Sequence, residues 1–474
     1  MKSPMALLDL AVIGGRLVSP DGVYPADIGI SAGHVAVITE PGLLPPAHEI
    51  IDARGDYILP GLVDPHTHPG NFRPLAQDIA SETRSAAVGG VTTLLGTVKV
   101  TRMGYQTHEI SHPEDVVSYL EVFETGRQIA NTKAHVDVAY SFVIMTRQQA
   151  EEIPAYVREC GVRSFKFFLL YPPTSEWGAW VGMPVFPDEG TVFLGFKRCA
   201  EVGALAMVHA ENSQVIQALG SEFVAGREGL EAWEAHFPGL LEASEVRKAA
   251  FFARAVGAHY YAVHLSSAES LAAIEHARAE GTIITAETCP QYLVLTLESH
   301  AGLGPLGKFN PPIRRRIDAE ALWQALQRGT IQCLGSDHVP NLRARKIPDG
   351  SMERALPGSP GVATLLPLLW TFGVAAGRLT PERLVELCCR GPAQAFGLYP
   401  RKGALLPGSD ADLVIVEPEH RWTVDPVHLH SWADFSAYEG MELVGWPRLT
   451  LLRGQVVARD GQPVGPPIGR YLAR

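Results

Sequence analysis

Cysteine is scarce in this sequence, and its spacing builds no recognisable framework. Six cysteines occur in 474 residues, none of them forms a CxxC pair, and Cys388 and Cys389 are adjacent. This usage excludes a disulfide scaffold and a thiolate zinc site, and it is typical of proteins kept in a reducing compartment. We therefore expect a cytoplasmic protein.

Basic patches and long apolar runs are also lacking. The formal net charge is −11, and the longest Lys/Arg cluster is the arginine run at 314–316. A nucleic-acid or anionic-membrane surface would need basic patches, so both are excluded as partners. The most apolar stretch, 361–377, contains Pro367 and is shorter than the ~20 residues that span a bilayer. The N-terminal residues show no export signal.

The chain has β-rich ends and an alternating middle. Residues 1–58 and 401–474 consist of short β-type segments separated by turns. Between them, apolar runs alternate with helical stretches, and the eight runs span 57–68, 90–98, 135–144, 162–171, 204–212, 259–267, 282–293 and 330–340. This order predicts an α/β fold: a (β/α)8 TIM-like barrel over 59–400, with a small β-sandwich domain built from 1–58 plus 401–474. A doubly wound open sheet is the alternative, but no glycine-rich phosphate loop follows any run.

Ligand-type residues occur where several predicted barrel strands end. "GLVDPHTH" ends strand 1 with His66 and His68, which share one face of the strand. Strands 5, 6 and 8 contribute His209, His264 and Asp337. Active sites of barrels form at this end. A single such histidine is more often a hydrogen-bonded core residue, but five groups at one end indicate a metal site. His428 and His430 have the same spacing without such partners, and we interpret them as structural.

Lys166, inside "SFKFFLLY" on strand 4, is the unusual member of this set. A buried ammonium is costly unless it is paired, and it would repel a nearby metal ion. The neutral amine can react with carbon dioxide to give a carbamate, an anion whose two oxygens can bridge two metals. The alternative is a lysine that reaches solvent or pairs with a carboxylate.

These motifs resemble the cyclic amidohydrolases of the amidohydrolase superfamily, which include hydantoinases, dihydropyrimidinases, allantoinases and dihydroorotases. The resemblance covers nearly the whole chain. It is carried, in order, by "GLVDPHTH", "SFKFFLLY", "VHAEN", "VHLSS", "ETCPQYL", "GSDHVP" and the C-terminal "GALLPGSDADLVIVEP". It implies a hydrolase whose partner is a small-molecule substrate, a cyclic amide that is opened by attack of a hydroxide held between two divalent metal ions.

The resemblance also implies roles for individual residues. His66, His68 and Asp337 would bind one metal and His209 and His264 the other, with carboxylated Lys166 (N6-carboxylysine) bridging both. Asp337 would also act as general base and then general acid. Zinc suits this donor set, with manganese or cobalt as alternatives. Family members are often tetramers, so a homo-oligomer, tetramer or dimer, is expected.

Two further residues are candidates for substrate contacts. Tyr171 occupies the position of the hydantoinase tyrosine that donates a hydrogen bond to the developing oxyanion. Asn310, in "KFNPPIR", lies in the loop after strand 7, where the family contacts substrate; it could equally be a turn residue before Pro311. His338 faces away from Asp337 along the strand, which favours a structural role.

The sequence combines residues that are typical of family members with different substrates. Dihydroorotases usually carry an arginine two residues after the second histidine, where this chain has Gly70, with Arg73 out of register. "FNPPIR" is nevertheless closer to dihydroorotases, whereas Tyr171 is typical of hydantoinases. The balance favours a neutral cyclic ureide or imide, with dihydroorotase or allantoinase activity as the alternative.

The segment 171–190 is long and aromatic. Trp177, Trp180, Met183 and Phe186 cluster there. They could form a lid over a bulky substrate or an oligomer contact.

Two other functions stay open in the sequence. The same metal site could hydrolyse a linear amide, carbamate or thiocarbamate, and the metal ligands cannot distinguish that reaction from ring opening. Some relatives of dihydropyrimidinases are non-catalytic scaffolds that have lost ligands. All six ligands are present here, which disfavours a scaffold.

Overall fold

The computed structural model describes most of the chain. The described residues are 7–102, 104–105, 115–169, 186–223 and 225–474. Tyr171, Trp177, Trp180 and Met183 lie outside them.

The amino-terminal part of the chain forms five strands. They are β1 (Leu8–Ser19), β2 (Gly22–Ser31), β3 (His34–Thr39), β4 (Ala47–Asp52) and β5 (Tyr57–Pro60). Strand β1 is central, because β2 pairs with it antiparallel and both β4 and β5 pair with it in parallel.

The middle of the chain forms the predicted barrel. Its eight strands run in parallel in sequence order, and each lies inside one of the predicted apolar runs: β6 (Leu62–Thr67), β7 (Val91–Val98), β8 (Asp137–Val143), β9 (Ser164–Leu169), β10 (Leu205–Ala210), β11 (His259–Ala262), β12 (Ile284–Thr288) and β13 (Cys333–Leu334). All residues of β6, β7, β8 and β10 are buried, as expected for strands covered on both faces. The barrel prediction is confirmed.

The ring of strands closes beside the candidate ligands. The backbone N–H of His68 donates to the carbonyl of His338 over 2.9 Å, and the N–H of His338 donates to the carbonyl of His66 over 3.3 Å. The first strand is thereby joined to the segment that follows the last one. Asp337, which is 269 residues from His68 in sequence, becomes a neighbour of His66 and His68 through this closure.

Helices cover the outside of the barrel. Those of eight residues or more are Leu75–Val88, Tyr119–Lys133, Glu189–Val202, Ser213–Phe223, Gly229–His236, Gly239–Val256, Ala268–Ala279 and Arg316–Arg328. Local signals fix their ends. The Ser118 side chain begins one helix with a capping box, and Gly203 ends another with φ 62°, a left-handed conformation that glycine adopts without steric cost. In the described residues, no helix is long and apolar enough to cross a membrane.

The carboxyl-terminal part adds six strands and completes the second sheet. They are β14 (Leu413–Val416), β15 (Arg421–Thr423), β16 (Glu442–Val444), β17 (Pro447–Leu452), β18 (Gln455–Arg459) and β19 (Gln462–Pro463). One sheet runs β19-β18-β17-β14-β5-β1-β2-β3, with β4 on β1, and it has an apolar core of its own. The two chain ends therefore form one body beside the barrel, as expected. The domain boundaries at 58 and 401 stay predictions.

A buried ion cluster joins the two bodies. The ammonium of Lys402 lies 2.6 Å from Asp137 of β8, 2.9 Å from Asp410 and 2.7 Å from Asp412. Arg453, which follows β17, also binds Asp137, over 2.6 Å. The three aspartates have the spacing of a metal site, but the lysine supplies the positive charge between them.

Candidate active site

The structure brings all six predicted ligands together at one end of the barrel. His66 lies in β6 and His68 just after it, Lys166 in β9, and His209 in β10. His264 follows β11 and Asp337 follows β13. The carboxyl ends of the strands meet there, as expected for this fold.

One group consists of His66, His68 and Asp337. The Nε2 atoms of the two histidines lie 3.2 Å apart, and Oδ1 of Asp337 lies 3.0 Å from Nε2 of His68 and 3.5 Å from Nε2 of His66. Three potential ligand atoms thus converge within the reach of one ion.

The second group consists of His209 and His264, with Lys166 between the two groups. Nδ1 of His209 lies 2.9 Å from Nε2 of His264. The amine of Lys166 lies 3.3 Å from Nε2 of His66, and the ring centroids of His66 and His264 are 5.4 Å apart. The lysine is fully buried.

Two buried carboxylates orient the histidines. Glu287 Oε1 lies 2.8 Å from Nδ1 of His66 and also accepts the backbone N–H of His264 over 3.0 Å, while its Oε2 accepts the hydroxyl of Tyr261 over 2.8 Å. Glu211 Oε2 lies 2.8 Å from Nε2 of His209. An ionised carboxylate only accepts, so these ring nitrogens carry the protons and the opposite nitrogens turn their lone pairs to the site.

Sequence reasoning did not single out Glu287 or Glu211. Both were visible inside motifs that carry the family resemblance, "ETCPQYL" and "VHAEN". Glu211 contacts His209, only two residues away in sequence, whereas the role of Glu287 depends on contacts with residues of other strands, such as His66, which is 221 residues away. Only the folded barrel reveals those contacts.

Burial changes the protonation of the site. Desolvation lowers the pKa of His68 to about 4 and that of His264 well below its ordinary value. It also lowers the pKa of Lys166 to about 8. His68 and His264 are therefore neutral at neutral pH, which is the form that binds metals. The amine of Lys166 is closer to its reactive neutral form than an exposed lysine would be.

Two ligands have a strained backbone. His264 has φ 38° and Asp337 has φ 49°, values that residues other than glycine rarely adopt. Such conformations persist where surrounding structure enforces them, and they cluster at functional sites. Here the acceptor Glu287 holds the N–H of His264, and barrel closure fixes the residue after Asp337.

Five of the six candidate ligands line one pocket. They are His68, Lys166, His209, His264 and Asp337, and the other described lining residues are Asn71, Phe72, Lys99, Val143, Phe168, Phe186, Asn310, Val339, Pro357 and Gly358. Asn310 is thus at the pocket, with its buried Oδ1 unbonded to any described residue. Phe186 is 3% exposed and packs with Val143 and Met145. The predicted position of Tyr171 is not among the described residues.

A lysine holds the loop that forms one pocket wall. The amine of Lys346 donates to the carbonyls of Lys308, Leu356 and Gly358 over 2.7, 2.6 and 2.8 Å. Pro357 and Gly358 therefore approach the pocket from a loop fixed by three buried hydrogen bonds.

The side chains of His338 and His430 have partners outside the group of candidate ligands. His338 Nε2 lies 2.8 Å from Glu82 Oε2, and its Nδ1 accepts the N–H of Gly361 over 3.0 Å. His430 Nε2 donates to the carbonyl of Gly461 over 3.0 Å. These contacts agree with the structural roles predicted for them.

Comparison with known proteins identifies the family. The model of the amidohydrolase family matches residues 182–457, which is more than half of the chain. The chain belongs to the amidohydrolase family.

Relatives of this amidohydrolase match it over nearly their full length. The D-hydantoinase of Rhizobium radiobacter is 35% identical, over 98% of this chain and 99% of the relative. The D-phenylhydantoinase of Escherichia coli K12 is 36% identical, over 97% of both chains. The solved L-hydantoinase (dihydropyrimidinase) from Arthrobacter aurescens superposes with a TM-score of 0.89 at 32% identity, covering 99% of this chain and 100% of the other. This amidohydrolase is therefore a cyclic amidohydrolase.

The family implies a site for two divalent metal ions, and this amidohydrolase has candidate ligands for them. The donor set fits such ions. One ligand atom each of His66, His68 and Asp337 lie within 4.8 Å of one another, so the three side chains can bind one cation together. Imidazole and carboxylate donors of this kind suit zinc and similar transition metals.

Proposed function

We propose that this protein opens the ring of a cyclic amide of the hydantoin or dihydropyrimidine type, by water attack at a site with two divalent metal ions. The observation that carries the proposal is the convergence of six ligand-type side chains at the barrel end, with Lys166 Nζ 3.3 Å from His66 Nε2. The names of the relatives, hydantoinase and phenylhydantoinase, support the substrate class.

His66, His68 and Asp337 would hold one ion, and His209 and His264 the other. Lys166, carboxylated by carbon dioxide to N6-carboxylysine, would bind both. Zinc is the expected metal, with manganese or cobalt as alternatives. Bound divalent ions would lower the pKa of water and polarise the amide carbonyl.

The chain's own residues would orient the substrate and move protons. The Asp337 carboxylate would take the proton of the attacking water and pass it to the departing ring nitrogen as the C–N bond breaks. Tyr171 would donate a hydrogen bond to the developing oxyanion, a contact typically worth ~3 kcal/mol. Asn310 Oδ1 would accept a ring N–H.

The structure adds an argument against a dihydroorotase-type use of Arg73. Its guanidinium binds the carboxylate of Asp78 and the hydroxyl of Ser81, and it stacks on Trp432 at 4.3 Å. It is not among the residues that line the pocket. Arg73 is thus engaged outside the pocket and is not available to a substrate there.

Assembly and location stay predictions. A homo-oligomer, tetramer or dimer, is inferred from the family resemblance, and a cytoplasmic location from cysteine usage. Equilibrium sedimentation of the purified protein would test the first.

Ring opening by the metal-loaded protein tests the proposed function. The protein would be incubated with bicarbonate and zinc, manganese or cobalt, then assayed on hydantoin, 5-phenylhydantoin, dihydrouracil, allantoin and dihydroorotate. We expect turnover of at least one ureide that is lost in Lys166→Ala. No turnover of any ring, with metal bound, would favour a linear amide or carbamate and overturn the proposal.

A further inference from the structure

Lys99 directly follows β7, at the same end of the barrel as the candidate ligands. Its side chain is 6% exposed and lines the pocket together with His68, Lys166 and His264. The second barrel strand thus places a cationic side chain at the site, although no family motif marks it in the sequence.

The other buried lysines have partners that explain their burial. Lys402 binds three aspartates, Lys346 donates to three carbonyls, and Lys308 donates to two. Lys166 contacts His66. In the described part of the chain, by contrast, Lys99 has no hydrogen bond, no ion pair and no nearby countercharge that affects its pKa.

This isolation has an energetic consequence. Burial alone lowers the pKa of Lys99 to about 8, so the amine remains mostly protonated at neutral pH. A desolvated ammonium without a partner is costly, and an anion that entered the pocket would relieve that cost. A protein rarely keeps such a group unless something pairs with it.

Lys99 carries one positive charge and can therefore neutralise one negative charge of a ligand. One ammonium with three donors matches one carboxylate, whereas a phosphate dianion would need further cations. The pocket also offers Asn310 Oδ1 as an unbonded acceptor. A ring with an N–H to donate and a carboxylate to pair would satisfy both groups.

We propose that Lys99 binds a carboxylate substituent of the cyclic amide, so that this enzyme prefers anionic over neutral rings. The inference rests on the proposed function. It departs from the neutral ring that the sequence favours. That expectation rested on the lack of an arginine at Gly70 and on Arg73 being out of register, but a cation can also reach the pocket from another strand. Lys99 is a substrate-binding residue supplied by another strand.

The test compares two substrates that differ in one charge. 5-(Carboxymethyl)hydantoin and its primary amide would be assayed with wild type, Lys99→Met, Lys99→Arg and the exposed-lysine control Lys133→Met. A charge-assisted hydrogen bond predicts that kcat/KM of wild type is about tenfold or more higher on the acid. We expect this ratio to fall to about one in Lys99→Met, to be partly kept in Lys99→Arg, and to be unaffected in Lys133→Met.

A binding measurement separates this inference from the proposed function. Calorimetry of the metal-loaded protein with N-carbamoylaspartate and N-carbamoylasparagine reports the same charge difference without turnover. Tighter binding of the aspartate compound that depends on Lys99 would support the inference even if no ring is opened. An acid-to-amide ratio near one in wild type, or one that Lys99→Met leaves in place, would overturn it. Thermal unfolding of each variant shows whether it is folded.

Discussion

At the residue scale, the most informative feature is Lys166, a lysine at a buried position where a positive charge is costly. Lys166 is fully buried, 3.3 Å from a histidine that itself faces two other potential ligands. An ammonium at this position would repel the two divalent ions that the family implies, whereas the proposed N6-carboxylysine would attract them. The strongest prediction therefore concerns this side chain.

Replacing Lys166 by Ala should remove the proposed bridging ligand and leave at most one tightly bound metal per chain. Losing a group that only orients a ligand already costs 10–100-fold in metal affinity or activity, so ring opening should fall by about 100-fold or more. Metal content by plasma emission spectrometry and turnover would be measured together. Two metals retained in Lys166→Ala would show that the lysine is not a ligand.

Glu287 offers a second test, because it contacts the candidate ligands His66 and His264. Glu287→Gln keeps the shape of the side chain but replaces one accepting carboxylate oxygen with a donating amide group. One oxygen can then no longer accept from His66 Nδ1, the His264 N–H or the Tyr261 hydroxyl. We expect zinc affinity and kcat to fall about 10–100-fold. Glu419→Gln, at an exposed glutamate, is the matched control and should be unchanged. If both variants behave like wild type, the orienting role is refuted.

At the scale of elements, one buried amine ties the loop that contains Pro357 and Gly358. Removing Lys346 would leave the carbonyls of Leu356 and Gly358 without a donor among the described residues, at roughly 1–3 kcal/mol for each buried group that finds no water. The carbonyl of Lys308 would keep the N–H of Gly358 as its donor. The loop lines the pocket but supplies no candidate ligand.

The variant Lys346→Met should therefore raise KM by about tenfold and lower kcat by less than that. Amide exchange in residues 346–358, followed by mass spectrometry, should become faster. Lys133→Met provides a comparison in which a solvent-exposed amine is lost. Unaltered exchange in this loop would mean that the carbonyls are held by other contacts.

The elements also show what local sequence can and cannot predict. The eight apolar runs predicted eight strands, because a strand buried on both faces must be apolar throughout. His66, His68, Lys166, His209, His264 and Asp337 could be named because strand ends converge in a barrel. Glu287 and Lys99 could not be named from the sequence. The role of Glu287 depends on partners that only the fold brings near, and that of Lys99 depends on the lack of such a partner. Sequence patterns reveal the periodicity of apolar residues, but they do not reveal whether a buried side chain has a partner in the fold.

At the scale of the whole molecule, the ion cluster around Lys402 connects the barrel to the sheet domain. Asp137 belongs to β8, whereas Asp410 and Asp412 lie in the carboxyl-terminal segment. All four side chains are buried. Removing one partner of such a cluster leaves uncompensated charge, which typically costs 3–5 kcal/mol.

Lys402→Met should consequently lower the free energy of unfolding by about 3–5 kcal/mol, as measured by urea denaturation. The double variant Lys402→Met/Asp412→Asn should recover part of that loss, because one of the repelling carboxylates is then neutral. A double variant less stable than the single one would show that the aspartates do not repel each other once the lysine is gone.

The composite sheet has a consequence for synthesis of the protein. Strand β5 lies between β1 and β14, and β14 leaves the ribosome only after every strand of the barrel has been translated. Until then, β5 presents an unpaired edge, the kind of surface that recruits other chains into aggregates. Nascent chains stalled before residue 413 should thus depend on chaperones, and a split of the gene inside the barrel should yield soluble halves only when both are made together.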